Sequence, residues 1–82
     1  MADIPNGWKK VDETLVLEVK LEDFSKAVEM VNKIAEIAEE LNHHPNIEIK
    51  NYNELKVTTT THSEEKLTDK DGELAGRVSE LL

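Results

Sequence analysis

Three histidines stand out as groups that could move a proton: the adjacent His43 and His44, and His62. Histidine is the side chain best suited to proton transfer near neutral pH. Two carboxylates, Glu39 and Asp71, flank them along the chain. Other chemistries lack their groups. The chain has no cysteine, and no serine sits in a recognisable nucleophile motif. Gly7, Gly72 and Gly76 are scattered, so no glycine-rich loop exists to hold a phosphate. Each residue also has a plainer reading. A His-His pair at a helix end can simply complement the helix dipole. Three histidines plus Glu39 could ligate zinc, but adjacent histidines often diverge and the i, i+4 helical spacing is absent. His62 could be an ordinary strand-end residue, and Asp71 an ordinary capping-box residue.

These groups must be positioned by a small framework. The chain has 82 residues, enough for one domain over 1–82. Ten basic and eighteen acidic side chains give a formal net charge of −8. An acidic surface repels phosphate backbones, and no Lys/Arg cluster interrupts it, so direct nucleic-acid binding is not expected. Leu15-Val16-Leu17 is the longest apolar run, too short to span a membrane. The first ten residues carry no signal-peptide run. The default expectation is a soluble, cytoplasmic protein. Aromatics are 4% of the chain, so the core must be aliphatic. With no disulfide to help, such a core is usually completed by a metal or a partner subunit, more often the partner.

Residues 1–6 read as a flexible entry, with Pro5, Asn6 and Gly7 before Trp8. Trp8 to Val11 and 14–21 read as a hairpin. In the second arm Leu15, Leu17, Val19 and Leu21 face one way and Val16, Glu18 and Lys20 the other. Asp23 is the expected N-cap of a helix to about Asn42. Its apolar residues, from Phe24 to Leu41, cover roughly half the helical wheel. That is wider than one sheet needs. The excess flank points to a subunit interface, or else to the second helix of the same subunit. Pro45 is expected to end the helix. Ile47 and Ile49 alternate as a third strand, and Leu55, Val57, Thr59 and Thr61 as a fourth. Thr68-Asp69-Lys70-Asp71 reads as a capping box opening a second helix. The expected fold is α+β, ordered ββαββα, a four-stranded antiparallel sheet with two helices on one face.

Joint spacing sharpens the reading of the histidines. Three residues separate Glu39 from His43-His44-Pro45, six follow before Tyr52, nine more before His62, and eight more before Asp71. This constellation resembles the signature of the pterin-4a-carbinolamine dehydratase family. Flanking matches include Gly7-Trp8, Asp23-Phe24, Ala38-Glu39, Tyr52-Asn53, Thr61-His62, Leu67-Thr68 and Leu74-Ala75. The resemblance covers roughly residues 7–80.

The resemblance implies a reaction and roles. Members of the family remove water from a 4a-hydroxytetrahydropterin to give the quinonoid dihydropterin, in the recycling of tetrahydrobiopterin. The pterin is the substrate, and neither metal nor organic cofactor is implied. His43 and His62 would be the acid–base pair, with His44 holding or orienting the pterin. Glu39, about one helical turn before His43, would orient a histidine. Pro45 would shape the turn presenting the pair, and Asp71 would anchor the segment from His62 into the second helix. The three imidazoles are expected to converge in one pocket. Tyr52 is expected to pack at the hairpin, and Trp8 in the core or an interface. The family also implies a homodimer or homotetramer. Two other functions stay open: a dimerisation or coactivator-type interaction protein, as animal members are, and an enzyme of another pterin, as in molybdopterin metabolism. This chain departs from the family pattern twice. A helical segment usually precedes Gly-Trp, and Asn46-Ile47 stand where an acidic or aromatic residue is common.

Overall fold

A computed structural model describes residues 4–82. It contains β1 (Trp8–Val11), β2 (Thr14–Lys20), α1 (Phe24–Leu41), β3 (Asn46–Lys50), β4 (Glu54–Thr59) and α2 (Asp69–Ser79). The strands form one antiparallel sheet in the order β1-β2-β4-β3. This is the ββαββα, α+β fold expected from the alternation and the capping signals.

Register explains the core. Leu17 pairs with Val57, Val19 with Leu55, Ile47 with Val57 and Ile49 with Leu55. Strand partners share a face, so these side chains form one apolar layer. Both helices lie on it. Ile34, Ile37 and Ala38 of α1 and Leu74, Ala75 and Val78 of α2 join Leu15, Leu17, Leu55 and Val57 in one buried cluster. Each fully buried aliphatic side chain contributes about 1.5–3 kcal/mol. Trp8 belongs to the same cluster, as the sequence reading allowed. The opposite sheet face carries alternating charges, with Lys56 of β4 between Glu18 and Glu48.

The wide apolar arc of α1 divides in two. Ala27, Ile34, Ile37 and Ala38 are buried, and Met30 and Leu41 pack against the same core. Phe24, Val28 and Ala35 on the other flank stay exposed, Phe24 at 54%. The second helix does not cover that flank. It meets α1 on the opposite side, where Arg77 reaches Glu40 at 2.7 Å.

Three local expectations change. Residues 1–3 of the expected flexible entry lie outside the described residues. From Pro5 onward the chain makes a hydrogen-bonded turn, with the Trp8 N–H donating to the Pro5 carbonyl at 3.1 Å. Gly7 sits in it at φ 89°, where a Cβ would come within 3.1 Å of Leu17 and Leu82. The first helix is stopped by Asn42 rather than by Pro45. Asn42 is left-handed at φ 52°, and its N–H donates to the carbonyls of Ala38 and Glu39. Asparagine tolerates that conformation better than most residues, and it caps carbonyls that have no partner further along the helix. Tyr52 does not pack at the hairpin. It occupies a positive-φ turn position and is 60% exposed.

Candidate active site

The site is built where the end of α1 meets the start of α2. Asn42 turns the chain out of the helix, so His43 points back toward the sheet and α2. There its Nε2 lies 2.6 Å from Asp71 Oδ1. Asp71 occupies the third helical position of α2 and completes the capping box. Thr68 is the N-cap, and its backbone N–H donates to Asp71 Oδ2 at 3.0 Å. The capping role expected for Asp71 is present, and it is one of four contacts.

Two more contacts come from β4 and its continuation. The Thr59 hydroxyl donates to Asp71 Oδ1 at 2.6 Å, and the Thr61 hydroxyl donates to Oδ2 at 2.7 Å. Residues two apart on an extended chain share a face. Thr59 and Thr61 therefore continue the buried row of Leu55 and Val57 into polar positions facing α2. The Asp71 side chain has no exposed surface, and His43 keeps 11% of its own. Burial pushes the Asp71 carboxyl up. The donors from Thr59, His43, Thr61 and the Thr68 amide outweigh it and hold the carboxyl below its usual range.

An ionised carboxylate only accepts hydrogen bonds. Nε2 of His43 must therefore carry the proton in that contact, which leaves Nδ1 free of it. A neutral His43 is then a base at Nδ1, and a protonated one is an acid at the same atom. A buried carboxylate on one ring nitrogen fixes the tautomer and the orientation of the ring.

The adjacent histidines diverge. His44 turns outward, where its Nε2 meets Glu39 Oε2 at 2.6 Å, and both side chains are largely exposed. Glu39 thus sits against His44 rather than His43. Pro45 is half-buried between this pair and β3. His62 is exposed in the turn that follows Thr61, a residue bridged to Lys66. Its backbone thereby adjoins the Asp71 cluster. A cleft of about 280 Å³ opens here, lined by Thr61, Ser63, Glu64, Thr68, Asp69 and Lys70, with no histidine in its lining. The structure therefore brings His43, Asp71, Thr59 and Thr61 together and sets His44 with Glu39 beside them, while the three imidazoles expected to share one pocket take three settings: His43 turned inward on Asp71, His44 outward on Glu39, and His62 exposed in the turn after Thr61. Among the described residues no three His, Asp or Glu side chains gather as a metal site requires.

Sequence reasoning missed Thr59 and Thr61 as site residues and read them only as strand formers. The available signal was their parity, since polar residues on the buried face of a strand need partners.

The sequence pattern of the family described as Pterin 4 alpha carbinolamine dehydratase matches residues 1–81. A Picosynechococcus protein provisionally named a pterin-4-alpha-carbinolamine dehydratase is 45% identical over 74 residues, covering 90% of this chain and 79% of its own. A Sulfurisphaera tokodaii protein of the same provisional name is 40% identical, covering 93% of this chain and 81% of its own. Among solved structures, a transcriptional coactivator/pterin dehydratase from Brucella melitensis superposes with a TM-score of 0.85 at 35% identity. That match covers 94% of this chain and 83% of the other. A pterin dehydratase-like RuBisCO assembly factor of the alpha-carboxysome shares the fold, with a TM-score of 0.71 at 17% identity over 90% of this chain and 84% of its own.

Proposed function

This chain belongs to the pterin-4a-carbinolamine dehydratase family, and from that we propose that it dehydrates a 4a-hydroxytetrahydropterin by histidine acid–base catalysis. The observation that carries the proposal is the 2.6 Å contact between His43 and the buried Asp71. It gives a family chain one imidazole with a defined acid–base nitrogen. In the reaction the C4a–O bond breaks as an imidazolium gives its proton to the leaving hydroxyl, which departs as water. A neutral imidazole takes the proton from N5, and the freed electron pair closes the C4a=N5 bond. The products are the quinonoid dihydropterin and water, and two imidazoles suffice for both transfers. His43 and His62 serve as that pair. His44, held by Glu39, orients the pterin, and Pro45 shapes the turn that presents the pair.

The substrate proposed is the tetrahydrobiopterin form, which places the reaction in the recycling of that cofactor in the cytoplasm. No metal or organic cofactor is required. Among the described residues no helix is long and apolar enough to cross a membrane. The working assembly proposed is a homodimer or homotetramer, supported by the uncovered Phe24, Val28 and Ala35 flank of α1. The test is the ultraviolet absorbance change of carbinolamine dehydration, followed with wild type, His43→Ala and His62→Ala. Equal rates in all three would remove the assigned chemistry.

The same exposed flank supports a second reading as an interaction protein, and the Brucella relative carries the word coactivator in its description. Val28→Asp is the probe for it. Ile34 and Ile37 are core residues, and charges there would unfold the chain. Loss of partner binding with dehydratase activity retained would favour this reading. An enzyme acting on a different pterin, as in molybdopterin metabolism, would use the same groups and is separated from the first reading by substrate comparison.

A further inference from the structure

We propose that Thr59 and Thr61 are positioning residues that act through Asp71 to set the tautomer of His43, a role that rests on reading His43 as an acid–base group. The geometry is specific. Asp71 Oδ1 receives Thr59 and His43, and Oδ2 receives Thr61 and the Thr68 amide. Two donors on each oxygen match the lone pairs of an ionised carboxylate. The group has no exposed surface, so no solvent donor substitutes when one of these is lost.

The hydroxyl network has a direction. Each threonine hydroxyl has one proton. Thr61 spends its proton on Asp71, so in its 2.6 Å contact with Thr68 it accepts, and Thr68 donates. The Thr68 oxygen in turn accepts from the Lys70 N–H at 3.3 Å. The chain runs Lys70 N–H to Thr68 to Thr61 to Asp71, every proton pointing toward the carboxylate. Such chains polarise one another and strengthen the last bond, from Thr61 to the carboxylate. Threonine is also stiff at χ1, so both hydroxyls are held in place before substrate arrives.

Removing the hydroxyls changes what Asp71 can be. Two lone pairs then lie unmatched in a dry site, and a protonated carboxyl becomes the better-matched species. If Asp71 takes up a proton from solvent it can donate to Nε2 of His43, and the pair then holds two protons, one on the carboxyl and one on Nδ1, in place of the single proton on Nε2. The nitrogen left for exchange with the pterin is then in the wrong state for a neutral base. The predicted defect lies in proton transfer rather than in substrate capture.

The test is the ring ¹⁵N spectrum of His43 in the full chain, recorded at about pH 8, where an ordinary imidazole is neutral. It is paired with dehydratase kinetics. Wild type, Thr59→Ser and Thr61→Ser should show one tautomer, protonated at Nε2, because serine keeps the hydroxyl. The Thr59→Val/Thr61→Val double variant should shift toward the Nδ1-protonated form. Its kcat should fall about tenfold while KM moves less than about twofold. If the double variant does not fold, each single valine variant should show a partial shift. An unchanged Nε2–H signal in a folded valine variant overturns the proposal, as does a serine variant as defective as the valine. If wild type shows no dehydratase activity but the tautomer shifts as stated, the dehydratase reading fails. The assignment of Thr59 and Thr61 to the His43 tautomer then stands.

Discussion

His43 Nε2 lies 2.6 Å from Asp71 Oδ1, across 28 residues of sequence, at a carboxylate with no exposed surface. The contact joins the end of one helix to the first turn of the other. It is at once a tertiary tie and the feature that makes one imidazole nitrogen chemically distinct. The consequences can be measured separately for stability and for activity.

Replacing Asp71 with Asn should damage both. The amide presents one acceptor oxygen to four donors, and its own N–H₂ opposes two of them. Buried donors left without partners cost about 1–3 kcal/mol. Denaturant unfolding should show that loss, and kcat should fall about 10²-fold. A variant as stable and as active as wild type would mean that the four contacts carry neither role.

The same carboxylate predicts acid sensitivity. Asp71 is held below its ordinary value of 3.8 by its donors. A group depressed on folding contributes stability that is complete above its unfolded value and is lost as pH falls through the folded one. The stability difference between wild type and Asp71→Asn should therefore narrow as pH falls below about 4. Urea midpoints measured across that range check it. A difference that widens toward low pH would contradict the assignment.

Leu74 stands one helical turn beyond Asp71 and is fully buried. Leu74→Ala should cost about 2–5 kcal/mol, the transfer term plus a cavity. In a domain this small that is a large share of total stability. Thermal melting should show a drop of many degrees or complete unfolding.

Asn42 offers a gentler test of how the histidines are aimed. Its φ of 52° is strained for most side chains. Asn42→Gly should be neutral or slightly stabilising, and Asn42→Ala should cost about 1 kcal/mol. If the cap directs His43, the alanine variant should also lose activity beyond its loss of stability. Melting and kinetics on the same samples separate the two effects.

Chelation should leave the rate unchanged. His43 is bonded inward to Asp71 and His44 outward to Glu39, each at 2.6 Å. Among the described residues no three His, Asp or Glu side chains gather as a metal site requires. Loss of activity on prolonged treatment with a strong chelator, restored by zinc, would contradict this.

Much of this was legible in the sequence because it is periodic. The alternation of Leu15, Leu17 and Val19, the capping box at Thr68 and the helical arc from Phe24 to Leu41 each follow from a repeat of about 2 or 3.6 residues. The histidine constellation was legible by its spacing. What was not legible depends on where chain segments meet. No local rule says that Thr59 and Thr61, ordinary strand residues, would face the helix carrying Asp71. Whether His43 or His44 turned inward depended on a single left-handed residue, Asn42. The arc on α1 showed that an apolar flank was in excess, but only packing shows that Ile34 and Ile37 face the core and Phe24 and Val28 do not.

The most direct measurement is the rate of 4a-hydroxytetrahydropterin dehydration with wild type and His43→Ala, each shown to be folded by circular dichroism. The account predicts clear acceleration by wild type and a loss of about 10²-fold or more in the variant. A folded His43→Ala protein that turns over as fast as wild type would contradict it.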